Sequence, residues 1–444
     1  MTDRPNILYI HSHDTGRYVQ PYGHAIDTPH LQALAEQGTL FRQAFCCAPT
    51  CSPSRAALLT GQYAHQAGMV GLTNRGCRLN DFSRHIVHTL RKVGYTSALA
   101  GIQHIADHDQ TPMIGYDAWL NPDGPAPHVA AARWLDEAPS QPFFLSVGFG
   151  ETHRAFPPLD QTPDDPRYTL PPAPLPDTPQ VRQDMARYKA SARDLDAHMG
   201  EVFEALKRNG LWDNTLVICT TDHGIAFPRM KCNLTDSGIG VMLIVKGPGG
   251  FDGGHVVDSI VSHIDIYPTL CELSGVDKPD WLEGQSLLPL MRGEVGSVRD
   301  ALFAEVSYHA SYEPQRCVRT QRYKYIRRFD QRDAPVLPNC DAGEAKRCWV
   351  DAGWTRRDPA SEALYDTIFD PNEADNRAAD PALADVLAEL RGRLDRWMAQ
   401  TDDPLLHGPV PTPPGSKLNP VDDPEPGGPM YTVGPEGDGW RQPA

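Results

Sequence analysis

The sequence is short of positive charge: 41 lysines and arginines face 57 aspartates and glutamates, a formal net charge of -16 at pH 7. Such a surface repels phosphate-rich partners at long range, so neither nucleic acid nor an anionic membrane is an expected partner, although a pocket can still be locally basic. Long apolar runs are missing too, and no window approaches the length of a membrane-crossing helix. The opening MTDRPNILYI has no charged leader followed by an apolar stretch and a small-residue cleavage site, which makes cytoplasmic the expected location. Ten cysteines occur without zinc-site or disulfide-scaffold spacing, so most read as buried thiols in a reducing compartment. Internal repeats are absent. What remains is an ordinary globular composition, 40% hydrophobic and 22% charged over 444 residues, enough for a large core.

Apolar runs alternate with helical patterns. PNILYIHSHD reads as a buried strand ending in polar residues, and TPHLQALAEQGTL as a helix with Thr28 as cap, Pro29 in its first turn and Gly38 at its end. LFRQAFC reads as a second strand and SRAALLTGQYAHQ as a helix. IVHTLRKVGYTSALAG and HVAAARWLDEAPSQPFFLSVGFG each give helix then strand. DMARYKASARDLDAHMGEVFEALKRNGLWDNTLVICTTDHG is a long helix leading into another strand. This alternation indicates an α/β fold with a largely parallel sheet, and polar residues gather after strand ends, where open sheets place their sites. From about Asp300, ALFAEVSYH and QRCVRTQRYKYIRRF alternate like antiparallel strands, and PALADVLAELRGRLDRWMAQ is an amphipathic helix. The expected organisation is a catalytic domain over 1–298, a small C-terminal α+β subdomain over 299–401 and an extended Pro/Gly-rich tail over 402–444. Met430, Tyr431 and Trp440 leave two readings of that tail open: a free chain, or an arm lying on the body or on a second subunit, which would make the protein a homo-oligomer.

Residues 51 to 61 read CSPSRAALLTG. Serine is the ordinary cap for such a helix, and an isolated cysteine is most simply a small buried hydrophobe. This eleven-residue stretch, however, resembles the activation motif of the sulfatases, formylglycine-dependent enzymes of the alkaline phosphatase superfamily. RPNILYIHSHDTG, TPHLQALAEQGTLFRQAF, LVICTTDHGIAFPRMK, SHIDIYPTLCELSGV, LEGQSLLPLM and RCVRTQRYKYI are similar to further family segments, together covering most of residues 5 to 330. HRAFPP, GIAFP and the spacing through HQAGMVGL are most similar to the N-sulfoglucosamine sulfohydrolases (heparan N-sulfatases) and their bacterial relatives. The resemblance implies an alkaline-phosphatase-like core, a large mostly parallel mixed sheet flanked by helices, plus a small C-terminal subdomain with an antiparallel sheet. It also implies conversion of Cys51 to formylglycine by a maturation enzyme. A thiol attacking a sulfate ester would leave an adduct with no easy exit, whereas a hydrated aldehyde attacks with one hydroxyl and releases sulfate through the other.

Asp14, Asp222 and His223 each follow a β-like run, so they could converge at one sheet edge, where hard divalent cations find oxygen ligands. The resemblance implies a metal set of His13, Asp14, Cys51, Asp222 and His223. His13 stands where the family usually has an acidic residue. His223 stands where many sulfatases carry asparagine and the related phosphonate monoesterases carry histidine. Calcium takes nitrogen ligands poorly and manganese accepts them, so the two ions are level expectations. The resemblance further implies that Arg55 holds the hydrate, Lys231 clamps sulfate, and His153 contacts sulfate or protonates the leaving group. His104, in GIQHIA, matches the histidine of a Gly-Lys-x-His pattern whose lysine is replaced near Gln103. Glu151 and Arg154 flank His153 as candidate readers of a sugar, a surface ion pair being the alternative, and Gln103 is a third candidate substrate contact. His65, His108, His255, His263 and His309 read as structural. The leading expectation is a sulfatase acting on a sulfated sugar or a small organic sulfate or sulfamate. The alternatives are a phosphonate monoester or phosphodiester hydrolase on the same scaffold, and an inactive metal-binding relative that never receives the aldehyde.

Overall fold

The computed structural model describes residues 4–357 and 359–441. Eight strands form its central sheet, in the order His255–Val257, Thr39–Phe41, Leu243–Lys246, Thr215–Thr220, Asn6–His11, Phe143–Gly148, Thr96–Gly101 and Ala118–Trp119. Neighbours run parallel except for Leu243–Lys246, which is antiparallel to both of its partners. The central strands NILYIH, FFLSVG and TLVICT are buried along their whole length because helices cover both faces of the sheet. Strand periodicity divides the core in two. Leu8 and Ile10 pack with Leu31, Leu34, Leu135, Leu195 and Met199 on one face, while Ile7 and Tyr9 join Leu58, Leu59, Leu90, Ile266 and Leu270 on the other.

Four antiparallel strands follow in chain order, Ala301–Tyr308, Tyr312–Thr320, Tyr323–Arg328 and Glu362–Asp366. The helix Ala384–Gln400 lays Leu387, Leu390, Leu394 and Trp397 against Val318, Tyr325 and Leu364 of that sheet. The mixed sheet with an appended antiparallel one is the architecture expected from the sequence.

One local expectation holds in part, one needs correction and one open reading is decided. Thr28 takes the N-cap position of its helix, but its hydroxyl makes no capping bond: it accepts from the Gln20 amide (3.0 Å) while its own amide donates to the Gln20 side chain (3.1 Å). LFRQAFC is not one strand, because Arg42 and Gln43 turn the chain out of the central sheet. Ala44–Phe45 then pairs with Gly240–Val241 and Val261–Ser262 in a separate small sheet. The tail is not free chain but an arm on its own body. Val410, Leu418 and Val433 are buried, Lys417–Leu418 pairs with Tyr431–Thr432, and the Tyr308 hydroxyl donates to the Val410 carbonyl (2.6 Å).

Candidate active site

Four adjacent parallel strands end at the same edge, and the loops leaving them carry Asp222 and His223, His13 and Asp14, His153, and His104. The helix Cys51–Thr60 aims its N-terminus at this edge, with Cys51 as its first residue after the extended Thr50. Each polar residue of the motif then has a task. Ser52 accepts from the Thr73 amide (3.1 Å), and Ser54 donates to the Asp222 carbonyl (2.5 Å). Arg55, 2% exposed, donates to His11 Nδ1 (2.6 Å), the Ser12 carbonyl (2.8 Å) and Asp222 Oδ2 (2.8 Å). Arg55 therefore grips the floor of the site through Asp222.

The two carboxylates lie side by side, with the Asp14 amide donating to Asp222 Oδ1 (2.8 Å). Burial alone would raise both carboxyls. Lys231, His13 and His223 around Asp14, and His223, Arg55 and His13 around Asp222, hold them well below the usual range, so both are ionised. Burial lowers the His13 imidazole to about 4 against the opposing pull of Asp222 and Asp14, leaving it neutral at pH 7.

His223 is more informative. Its Nδ1 meets the Gly224 carbonyl at 3.0 Å, and a carbonyl only accepts, so Nδ1 carries a proton. Nε2 is turned to Asp14 Oδ1 at 3.3 Å and Asp222 Oδ2 at 3.7 Å. An imidazole nitrogen and two carboxylate oxygens converging in a buried space suit a divalent cation, and a backbone carbonyl holding the other ring nitrogen is how metal-binding histidines are oriented. Ligand atoms of His13, Asp14, Cys51 and Asp222 all lie within 4.8 Å of one another, and those of His13, Cys51 and His104 form a second, overlapping group. The groups brought together are carboxylate oxygens, imidazole nitrogens and the Cys51 sulfur. Asp14 and His104 both hold left-handed backbone (φ 57° and 52°), a conformation that costs a non-glycine residue roughly 1–3 kcal/mol and gathers at functional sites.

Opposite the carboxylates, the buried Lys231 ammonium lies 2.8 Å from Asp14 Oδ2, 3.1 Å from Asp341 Oδ2 and 3.4 Å from His153 Nε2. His153 turns Nδ1 to the Arg154 carbonyl, which fixes its proton there and leaves Nε2 facing Lys231 and Asp14. The His13 ring stands 4.5 Å from that of His153 and 5.6 Å from that of His104. Burial pushes the Cys51 thiol well above its ordinary value, so position 51 offers no thiolate at neutral pH.

All three candidate substrate readers are committed elsewhere. Gln103 braces its own loop, accepting from the Ile105 and Ala106 amides and donating to the Ala106 carbonyl and Thr111. Arg154 makes a two-pronged pair with Asp184 (2.8 and 2.7 Å) between the rings of Phe156 and Phe227. Glu151 turns to His198 (3.1 Å), so the alternative of a Glu151–Arg154 ion pair fails as well. Glu151 and Arg154 have partners on the long helix Pro179–Arg208, invisible in their own stretch of sequence, whereas Gln103 is taken up by the turn of its own loop. Of the histidines taken as structural, His65 pairs with Glu305 (2.8 Å) and His263 braces Thr220 (3.0 Å) at a strand end below the site. His309 is buried near Lys231 and Asp341. Sequence reasoning missed Asp341, which lies in irregular chain and carries no local signal.

Fold and site together define an alkaline-phosphatase-like hydrolase. The chain belongs to the sulfatase family and is a sulfuric ester hydrolase: the Sulfatase family model matches residues 5–276, and a model described as N-sulphoglucosamine sulphohydrolase, C-terminal, matches residues 229–342. Human N-sulphoglucosamine sulphohydrolase is 30% identical over an alignment covering 91% of this chain and 92% of the relative. Among solved structures, a 2-O GAG sulfatase superposes with a TM-score of 0.70 at 21% identity, covering 98% of this chain and 100% of that one. A phosphonate monoester hydrolase of Agrobacterium radiobacter shares the fold at a TM-score of 0.68 and 23% identity, covering 90% and 96%.

Proposed function

We propose that the protein releases inorganic sulfate from a sulfated sugar, carried as a sulfate ester or a sulfamate, using formylglycine made from Cys51 and one divalent ion. One observation carries this reading: Cys51, at a helix N-terminus, lies 3.4 Å from His223 Nε2 and clusters with His13, Asp14 and Asp222, while Lys231 joins the same cluster through Asp14 and reaches His153. His13, Asp14, Asp222 and His223 would hold the metal, and their two imidazoles favour manganese over calcium. The chemistry that aldehyde and metal supply when present is a nucleophilic hydroxyl beside a Lewis acid. The chain's own residues do the rest. The Lys231 ammonium and the amides of the Cys51–Thr60 helix N-terminus favour an anion at this point. Arg55 holds Asp222 in place, and His153, once protonated at both ring nitrogens, would give its Nε2 proton to the departing oxygen or nitrogen. Maturation by a formylglycine-generating enzyme belongs to the same reading, because the protonated thiol is a poor nucleophile. The sulfamate option is supported by the 30% identity to the human N-sulphoglucosamine sulphohydrolase. His223 favours a second reading, phosphonate monoester hydrolysis on the same scaffold.

The test uses protein matured in its native host or with a co-expressed maturation enzyme. We expect the Cys51 peptide to resist alkylation and to carry the aldehyde mass. We also expect kcat/KM for 4-nitrophenyl sulfate to exceed that for an aryl phosphonate. An intact, alkylatable thiol in the native host would establish the inactive relative, and a preference for phosphonate would establish the second reading.

A further inference from the structure

Lys231 is held by carboxylates on two sides, and the two differ in purpose. Asp14 belongs to the metal cluster. Asp341 comes from irregular chain just after the Leu337–Asn339 turn and reaches Lys231 at 3.1 Å, its buried Oδ2 having no hydrogen-bond donor aligned with it. Burial would raise its carboxyl, but Lys231 more than offsets this and Asp341 stays ionised. A sulfate gripped by Lys231 would bring its negative oxygens next to this second negative charge. For binding sulfate alone, a carboxylate here is the wrong group, since like charges in a poorly hydrated site repel. It becomes the right group when the rest of the substrate brings a hydrogen-bond donor.

The segment is also built to stay put. Asn339 accepts from the Ala310 and Ser311 amides (3.0 and 2.8 Å) and donates to Glu313 (2.9 Å). Lys346 donates to the carbonyl of Cys340 (2.8 Å), next to Asp341, and is itself held by Glu425 of the tail (3.1 Å). The tail's Asn419 carbonyl accepts from Ser311 (2.7 Å). A carboxylate pinned from behind on both flanks is pre-organised for recognition.

We propose that Asp341 is a specificity residue, accepting a hydrogen bond from an N–H or O–H of the group that leaves with, or lies beside, the sulfate. The proposal rests on the sulfatase reading above and deepens it: the site prefers sugar sulfates and sulfamates over sulfates that lack such a donor. The test measures kcat/KM of matured Asp341→Leu and Asp341→Asn on glucosamine N-sulfate, a sugar O-sulfate and 4-nitrophenyl sulfate, the last having no donor. Loss of a hydrogen bond to a charged partner predicts a fall of about 10- to 100-fold on the sugars for Asp341→Leu. The fall on the aryl sulfate should be roughly tenfold smaller, and Asp341→Asn, which keeps a carbonyl acceptor and the same shape, should lie in between. Comparison of the N- and O-sulfate arms tells whether N–H or O–H is read. Equal losses on all three substrates would overturn the proposal, leaving Asp341 only a holder of Lys231, and so would sugar activity unchanged from wild type. Wild-type turnover of 4-nitrophenyl sulfate reports the sulfatase reading separately, so the two failures are distinguishable.

Discussion

Replacing Arg55 by methionine should show what the buried arginine does before any substrate arrives. Its guanidinium donates to His11, the Ser12 carbonyl and Asp222 Oδ2, all inside the core. Methionine fills much of the volume but leaves the Asp222 carboxylate facing Asp14 with one cation fewer. Breaking a buried pair by removing one partner costs about 3–5 kcal/mol. At about 2.1 cal/mol/K per residue, 444 residues give an unfolding entropy of roughly 0.9 kcal/mol/K, so Tm of the metal-stripped protein should fall by about 3–5 °C. The charge left uncompensated on Asp222 is one that a divalent ion would meet. Added manganese should therefore raise Tm of Arg55→Met by more than it raises Tm of the wild type. Scanning calorimetry with and without metal measures both shifts. A metal-free Tm within 1 °C of wild type, or equal manganese shifts, would refute the assignment of Arg55 as the counter-charge of Asp222.

Two further expectations follow from the same geometry. His153→Gln should lower kcat by about 10²- to 10⁴-fold on poor leaving groups and far less on 4-nitrophenyl sulfate, whose departing phenolate needs no proton. A series of aryl and alkyl sulfates checks this, and a uniform loss would remove His153 from the proton-donor role. Away from the site, burial would raise the Glu305 carboxyl, but His65 at 2.8 Å and Arg316 at 3.5 Å outweigh it and hold it well below its ordinary value. A depressed folded-state pKa stabilises above the unfolded value of about 4.3 and is lost as pH falls below it. Glu305→Gln should thus be less stable than wild type at pH 7 in urea titrations. Equal stability of the two proteins at pH 7 would contradict the assignment.

Much of the site was readable before any fold was in hand. Asp14, His153, Asp222 and His223 each follow an apolar run, and parallel strands packed in one sheet must end on the same edge, so local pattern alone brings those residues together. The CSPSRAALLTG motif likewise carries its resemblance to the family in contiguous residues. The tail, by contrast, showed only composition, and a Pro/Gly-rich stretch reads the same whether it floats or packs.

What tertiary structure decided was partnership. Gln103, Glu151 and Arg154 were reasonable substrate readers by position, but a long polar side chain goes to whichever partner relieves its burial: Gln103 turns to its own loop, and His198 and Asp184 reach Glu151 and Arg154 from the long helix. Lys231 meets Asp14 across 217 residues, and Asp341 reaches the same ammonium from a loop with no periodicity to betray it. Strand and helix patterns record interactions between near neighbours, whereas the charge balance of a buried site is set by groups that only folding brings within a few ångströms.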